Sequence, residues 1–144
     1  MGVIRYFSEG THFKLPDSRK ITRWVKFILT KEGVEFSFIN YIFCSDEFLH
    51  SLNKKYLSHN DYTDIITFRL NEIGELIESE IYISIDRVID NSNAYGIPFL
   101  EELHRVIAHG VLHLAGYKDK KPAEKALMRK KEAAYLSLRK LSST

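Results

Sequence analysis

The succession of β-rich and helix-periodic segments in this chain predicts an α+β fold. The expected form is a mixed β-sheet of about four strands covered by about five helices, in a single domain over residues 1–144. Three observations carry that expectation. Strand-like and helix-like runs mix without the strict alternation that a doubly wound parallel sheet requires. The chain has 144 residues, enough to bury a modest core without staples. Apolar residues make up 44% and charged residues 28%, and no apolar run approaches the roughly 18 residues of a membrane span, so a soluble globular class is expected rather than a disordered or membrane one.

The elements follow in order. "VIRYFSE" is β-rich and predicts a first strand, set at 1–7. "LPDSRKITRWVKFILTKEG" predicts a helix over 16–32, capped by Asp17 or Ser18, with Ile21, Trp24, Val25, Ile28 and Leu29 as its apolar stripe and Gly33 as its stop. "EFSFINYIFC" is aromatic and β-branched and predicts a mostly buried strand over 35–43. "SDEFLHSLNKKYL" predicts a helix over 45–57 capped by Ser45 or Asp46. Strands are expected at 63–70 ("TDIITFRL") and 77–84, around "ESEIYISI" (78–85), then a helix at 85–96 ended by Gly96. Pro98 suits the start of a helix over 98–115, which is apolar around most of its circumference and is expected to be buried centrally. Pro122 opens a last, basic helix over 122–140.

The single cysteine, Cys44, rules out an intrachain disulfide, and "MGVIRYFSEG" lacks the basic-then-apolar layout of a signal peptide. Both fit a reducing, cytoplasmic location without a membrane anchor. Cys44 sits in an apolar run and is expected to pack as a small hydrophobe. Charge is unevenly placed. From Lys118 onward nine Lys/Arg face three Asp/Glu, whereas the preceding part is net acidic. Such a basic end suits a polyanionic partner or a merely solvated helix face.

The chemistry is concentrated in "AHGVLHLAGYKDK", residues 108–120. Four helical residues advance about 400°, so His109 and His113 project from one face, one turn apart, and can converge on one ion. Zinc takes imidazole nitrogen at about 2.0–2.1 Å and needs a third protein ligand. A continuous helix would carry residue 119 about two turns further along. Gly116 tolerates the left-handed conformation that reverses the chain, and Asp119 can then return as that ligand. The expected site is therefore His109, His113 and Asp119 around one zinc, a zincin-like arrangement on the central helix with a fourth position for water. The carboxylate makes it harder than three histidines would, which favours competition by other divalent transition metals such as manganese or nickel. The alternative is two core histidines beside a chance glycine cap. The spacing His-x3-His-x2-Gly-x2-ligand is that of metzincin peptidases, but Gly110 stands where those enzymes carry the glutamate base. An ion can still acidify its water without that base. Peptide cleavage, which needs a proton delivered to a poor leaving amine, becomes the weaker reading.

Three segments together resemble one family. "HGVLHLAGYKD" is similar to the signature His-Gly-x-Leu-His-Leu-x-Gly-Tyr-Asp-His of the YbeY family of bacterial ribosomal RNA maturation factors. "LNKKYLSHNDYTDIITF" (52–68) and "SEIYIS" (79–84) resemble that family's other two segments, in the same order, over about residues 35–120. The resemblance implies a zinc-dependent, single-strand-specific endoribonuclease acting in small-subunit (16S) ribosomal RNA 3′-end maturation and ribosome quality control. It implies ribosomal RNA and the small ribosomal subunit as partners; a monomer is expected. It places His109, His113 and Asp119 on the family's metal positions. Departures are Asp119 for the usual His, Lys118 for Asp, Tyr62 for Pro, and Leu57 for an arginine thought to face the RNA.

Further candidates are weaker. Arg105, one turn before His109, is a candidate phosphate contact in place of the lost arginine, or an ordinary ion pair. Arg69 is a second such candidate. The resemblance sets Thr63, Asp64 and Thr67 on a strand beside the metal. Asp64 either orients a ligand histidine or caps a turn. Lys125, Arg129, Lys130 and Lys131 on the basic helix are expected to hold RNA backbone. His104 projects about 140° from His109 and is read as structural or exposed. His12, His50 and His59 have no spacing relation to the site. Tyr117 is expected against the helix end, its hydroxyl within reach of the cleft. Two other functions stay open: a ribosome-assembly factor with a structural metal, and a metallopeptidase.

Overall fold

The computed structural model describes residues 2–59 and 62–139. Nine elements occur in the order β1 (Val3–Glu9), α1 (Ser18–Lys31), β2 (Phe36–Cys44), α2 (Asp46–Leu57), β3 (Ile65–Arg69), β4 (Ile77–Ser84), α3 (Ile85–Tyr95), α4 (Phe99–Leu114) and α5 (Pro122–Ser137). The fold is α+β, as expected. Its four strands form one mixed sheet in the order β1-β2-β4-β3, with β1 and β4 parallel to β2 and β3 antiparallel to β4.

Alternation along β4 sorts the two faces. Ile77, Ser79, Ile81 and Ile83 are buried on one side, while Glu78, Glu80 and Tyr82 are half-buried on the other. The first side packs on α4, and α1, α3 and α5 surround that helix, so the main core lies between the sheet and these helices. Trp24, Val25, Ile28 and Leu29 of α1 are the buried part of the predicted stripe, together with Ile21. The opposite side is covered by α2 over a smaller cluster of Cys44, Leu49 and Ile66. Cys44 is buried there, as its apolar surroundings suggested, and burial pushes its thiol up to about 12, which keeps it protonated and unreactive.

Two buried polar contacts fix the helices on the sheet. The Tyr41 hydroxyl of β2 donates to the Ile107 carbonyl of α4 at 2.9 Å, and the Trp24 indole of α1 donates to the Tyr135 carbonyl of α5 at 2.8 Å. Each satisfies a polar atom that would otherwise be costly inside the core.

Several boundaries move. β1 begins two residues later than predicted and runs to Glu9, because its parallel register with β2 extends from Val3↔Phe38 to Glu9↔Cys44. Asp17 occupies the cap position of α1 in a left-handed conformation and makes no side-chain cap bond, whereas Ser45 accepts from the Phe48 N–H as a cap should. β3 is shorter than 63–70: Thr63 and Asp64 precede the strand, although the Asp64 carbonyl still accepts from the Ser84 N–H. α5 ends at Ser137, and Lys140, the predicted last residue, lies outside the described residues.

Candidate metal centre

Pro98 precedes α4 and Glu101 and Glu102 fill its first turn, where carboxylates favour the positive end of a helix. The last two turns carry His109 and His113 side by side, ring centroids 4.5 Å apart. The helix then closes with two reverse hydrogen bonds, Gly116 N–H to His113 carbonyl at 3.0 Å and Tyr117 N–H to Leu112 carbonyl at 3.1 Å. This closure needs a positive φ at residue 116, and Gly116 takes 105°. The reversal brings Asp119 back over the helix end. Its Oδ2 lies 3.1 Å from His109 Nε2 and 3.4 Å from His113 Nε2, and one ligand atom from each of the three residues falls within 4.8 Å of the others. The three residues named from spacing are thus brought together.

The other nitrogen of each ring is occupied. His109 Nδ1 lies 2.6 Å from Glu132 Oε2, and His113 Nδ1 lies 2.9 Å from the Tyr117 carbonyl. Both partners are acceptors to which each Nδ1 can donate, and in that tautomer each Nε2 presents a lone pair toward Asp119. Two imidazole lone pairs and a carboxylate oxygen converging on one point make a donor set suited to a divalent transition metal, zinc included. The same turn therefore supplies one ligand and orients another. It is pinned in turn by Glu32 at the end of α1, which accepts from the Tyr117 hydroxyl at 2.7 Å and from the Tyr135 hydroxyl, with Lys131 Nζ at 3.6 Å. The Tyr117 hydroxyl thus turns to Glu32 instead of the cleft.

Behind His109 lies a buried charge network. Glu132 is 1% exposed, and its second oxygen meets Arg105 Nη1 at 3.1 Å. Arg105 grips Glu102, itself 0% exposed, with two prongs at 2.9 and 2.6 Å. Asp64 Oδ2 stands 3.7 Å from Arg105 Nη2. Burial opposes ionisation of Glu132, but the His109 hydrogen bond and the Arg105 charge outweigh it and hold its pKa below the usual carboxylate value. At Asp64 burial prevails over the Arg105 and His109 charges, and its pKa is raised.

Arg105 lines the cleft but is paired with Glu102 and Glu132, so a phosphate contact would have to displace two buried carboxylates. Glu132 and the Tyr117 carbonyl take both Nδ1 atoms, and Asp64 stands beside Arg105. Arg69 lines the same cleft, and its guanidinium donates to the Glu72 and Glu75 carbonyls and to Asn71 Oδ1 of its own hairpin. His104 packs on Trp24 with its Nδ1 against Arg139, away from the site. Gly110, where a zincin would carry its base, faces the sheet beside Ile65 and Ile81.

The ligands open into a cleft of about 1000 Å³ whose walls include Leu57, His59, Thr63, Asp64, Thr67, Ile73, Lys120 and Arg129. Lys120 and Arg129 are exposed cations on this wall, whereas Lys125 and Lys130 are exposed on α5 without lining it. His59 joins the wall although its spacing gave no sign of it. Glu132 and Glu32 were also missed. Their sequence neighbourhoods resemble any charged helix face, and only a position one turn after Met128 on the same face hinted that Glu132 points inward.

The family profile described as endoribonuclease YbeY matches residues 8–140. Curated proteins named endoribonuclease YbeY are similar to this chain. The one from Cytophaga hutchinsonii is 50% identical over 138 residues, covering 96% of each chain. The one from Amoebophilus asiaticus is 50% identical over 133 residues, covering 92% of this chain and 90% of the relative. The solution structure of TM1509 from Thermotoga maritima superposes with a TM-score of 0.66 at 28% identity, covering 94% of this chain and 88% of that one. Two histidines from one helix, a carboxylate returned by a glycine turn, and a match of profile and relatives across nearly the whole length lead to one conclusion: this chain belongs to the endoribonuclease YbeY family.

Proposed function

We propose that this protein is a metal-dependent endoribonuclease that cuts single-stranded RNA during 3′-end maturation of small-subunit ribosomal RNA, with one zinc held by His109, His113 and Asp119. It works as a monomer in the cytoplasm, in contact with the small ribosomal subunit. One observation carries the reading: the Nε2 atoms of both histidines and Asp119 Oδ2 converge inside an open cleft that also carries Lys120 and Arg129. A bound divalent ion there would supply Lewis acidity and a water acidic enough to ionise near neutral pH. The chain's own residues do the rest. Lys120 and Arg129 attract the phosphate backbone. Leu57 and Ile73 offer apolar wall to bases of an unpaired strand. Asp64, kept weakly acidic by burial and lining the same cleft, is the group placed to hold or release a proton. Arg105 positions and screens carboxylates instead of touching phosphate.

The test is metal content measured together with cleavage. Purified protein with one zinc per chain should cut single-stranded RNA and spare duplex RNA and peptides, and His113→Ala should lose both metal and cutting. Cutting that survives this substitution would come from a contaminating nuclease and would refute the assignment.

A second reading is favoured by two features: Gly110 leaves no base on the metal helix, and Arg105 is locked in ion pairs. In it the metal is structural and the protein acts in ribosome assembly. Metal-loaded protein that leaves RNA intact, while a metal-free folded variant still restores ribosomal RNA maturation in cells, would select it.

A further inference from the structure

The buried network behind His109 has a charge imbalance. Glu102 and Glu132 are two buried carboxylates that share one guanidinium, Arg105, with Asp64 3.7 Å from its other side. Arg129 also approaches Glu132, at 3.7 Å, but its side chain is 57% exposed and its charge is largely screened by solvent. Excess negative charge in a low-dielectric interior is unfavourable unless something cationic sits close by. The imidazole of His109 is the one group joining that excess to the ligand cluster, with Nδ1 on Glu132 and Nε2 on the Asp119 side.

We propose that Glu132 is a metal-positioning residue, which fixes the ring and tautomer of His109 and presents the negative charge of the Glu102–Arg105–Glu132 chain to the ion. The two histidines are not equivalent in this respect. His113 leans on a backbone carbonyl, which is neutral and fixed by the turn, whereas His109 leans on a full carboxylate from another helix. A carboxylate behind a ligand imidazole raises its donor strength, and loss of such a partner typically lowers metal affinity about 10–100-fold. Glu132 belongs to α5, so its hydrogen bond to His109 links the ion directly to the docking of α5 on α4. The competing explanation is that Glu132 merely neutralises Arg105 and holds α5 in place.

The inference rests on the metal reading of the site, so the experiment reads zinc affinity and not RNA cutting. Zinc binding by the full chain is measured by chelator competition for the unaltered protein, Glu132→Gln and Met128→Ala, with urea unfolding of the zinc-free forms alongside. Met128 is buried on the same face of α5, one turn before Glu132, and carries no charge, so it controls for loosened packing. Glu132→Gln should bind zinc about 10–100-fold more weakly, and cobalt(II) in its place should show a shifted absorption spectrum. Met128→Ala should lose stability with zinc affinity preserved. Equal zinc affinity for Glu132→Gln and the unaltered protein, or an equal fall in Met128→Ala at matched stability, would overturn the proposal. If Glu132→Gln does not fold, nitrogen shifts of the His109 ring in the unaltered zinc-free protein decide: a hydrogen on Nδ1 is expected, and a hydrogen on Nε2 alone would overturn it. An unaltered protein that binds no zinc would remove the metal reading as well, which separates the two failures.

Discussion

Gly110 lies against Ile81 so closely that a Cβ at position 110 would stand 3.1 Å from both Cδ1 and Cγ2 of Ile81, and equally near Cδ1 of Ile65. The residue after the first ligand histidine therefore faces the sheet, where α4 and the strands touch. Its small size serves packing, and a glutamate there would enter the core instead of reaching the metal cleft.

Gly110→Glu is accordingly expected to damage the fold without creating a peptidase. Overpacking costs about 1–3 kcal/mol, and an unpaired buried carboxylate adds several more. The expected result is a loss of at least about 3 kcal/mol in urea unfolding, or insoluble protein. Stable, soluble Gly110→Glu protein with peptide-cleaving activity would contradict the packing seen here.

Metal removal should be visible in stability. A ligand at one hundred times its dissociation constant stabilises the native state by about 2.7 kcal/mol, on the order of 10 °C in Tm for a domain of this size. Zinc added to chelator-stripped protein should produce such a rise, and Asp119→Ala should remove most of it. An undiminished rise in Asp119→Ala would show that Asp119 is not a ligand.

His104 gives a pH signature away from the metal. Burial and the neighbouring Arg139 push its pKa from 6.5 down to about 4. The unfolded chain binds this proton near pH 6.5 and the folded chain only near 4, so unfolding takes up a proton between them. The contribution is intact above about pH 6.5 and is lost progressively as pH falls toward about 4. The difference in unfolding free energy between the unaltered protein and His104→Gln, followed from pH 7 to 4, should slope through that window. A difference independent of pH would place the proton elsewhere.

The cleft cations should show in salt dependence. Each phosphate contact to a single strand adds about 0.7 to the slope of log affinity against log salt. Lys120→Ala and Arg129→Ala should each weaken RNA binding and flatten that slope by about this amount. Lys130→Ala, on a residue outside the cleft wall, should do neither. Equal effects from all three would mean that the basic helix, and not the cleft, holds the RNA.

Much of the site was legible in the chain because its rules are local. The 100° advance per helical residue puts His109 and His113 on one face whatever surrounds them. The reversal at Gly116 depends on its own φ and two short-range hydrogen bonds, which turn Asp119 back toward the histidines. The helices and the β-rich runs of the sheet follow the same short-range periodicities, which is why their order was predicted and only their ends moved.

Tertiary structure decided everything that depends on partners far along the chain. Glu132 meets His109 across 23 residues, Glu32 meets Tyr117 across 85, and Arg105 gains its second carboxylate, Glu132, only because α5 folds over α4. No spacing rule links such pairs, since the packing of whole helices sets their approach. Gly110 is the same lesson in reverse. Sequence alone marked it as a missing base, and the nearness of Ile65 and Ile81 makes it the point where the metal helix settles on the sheet.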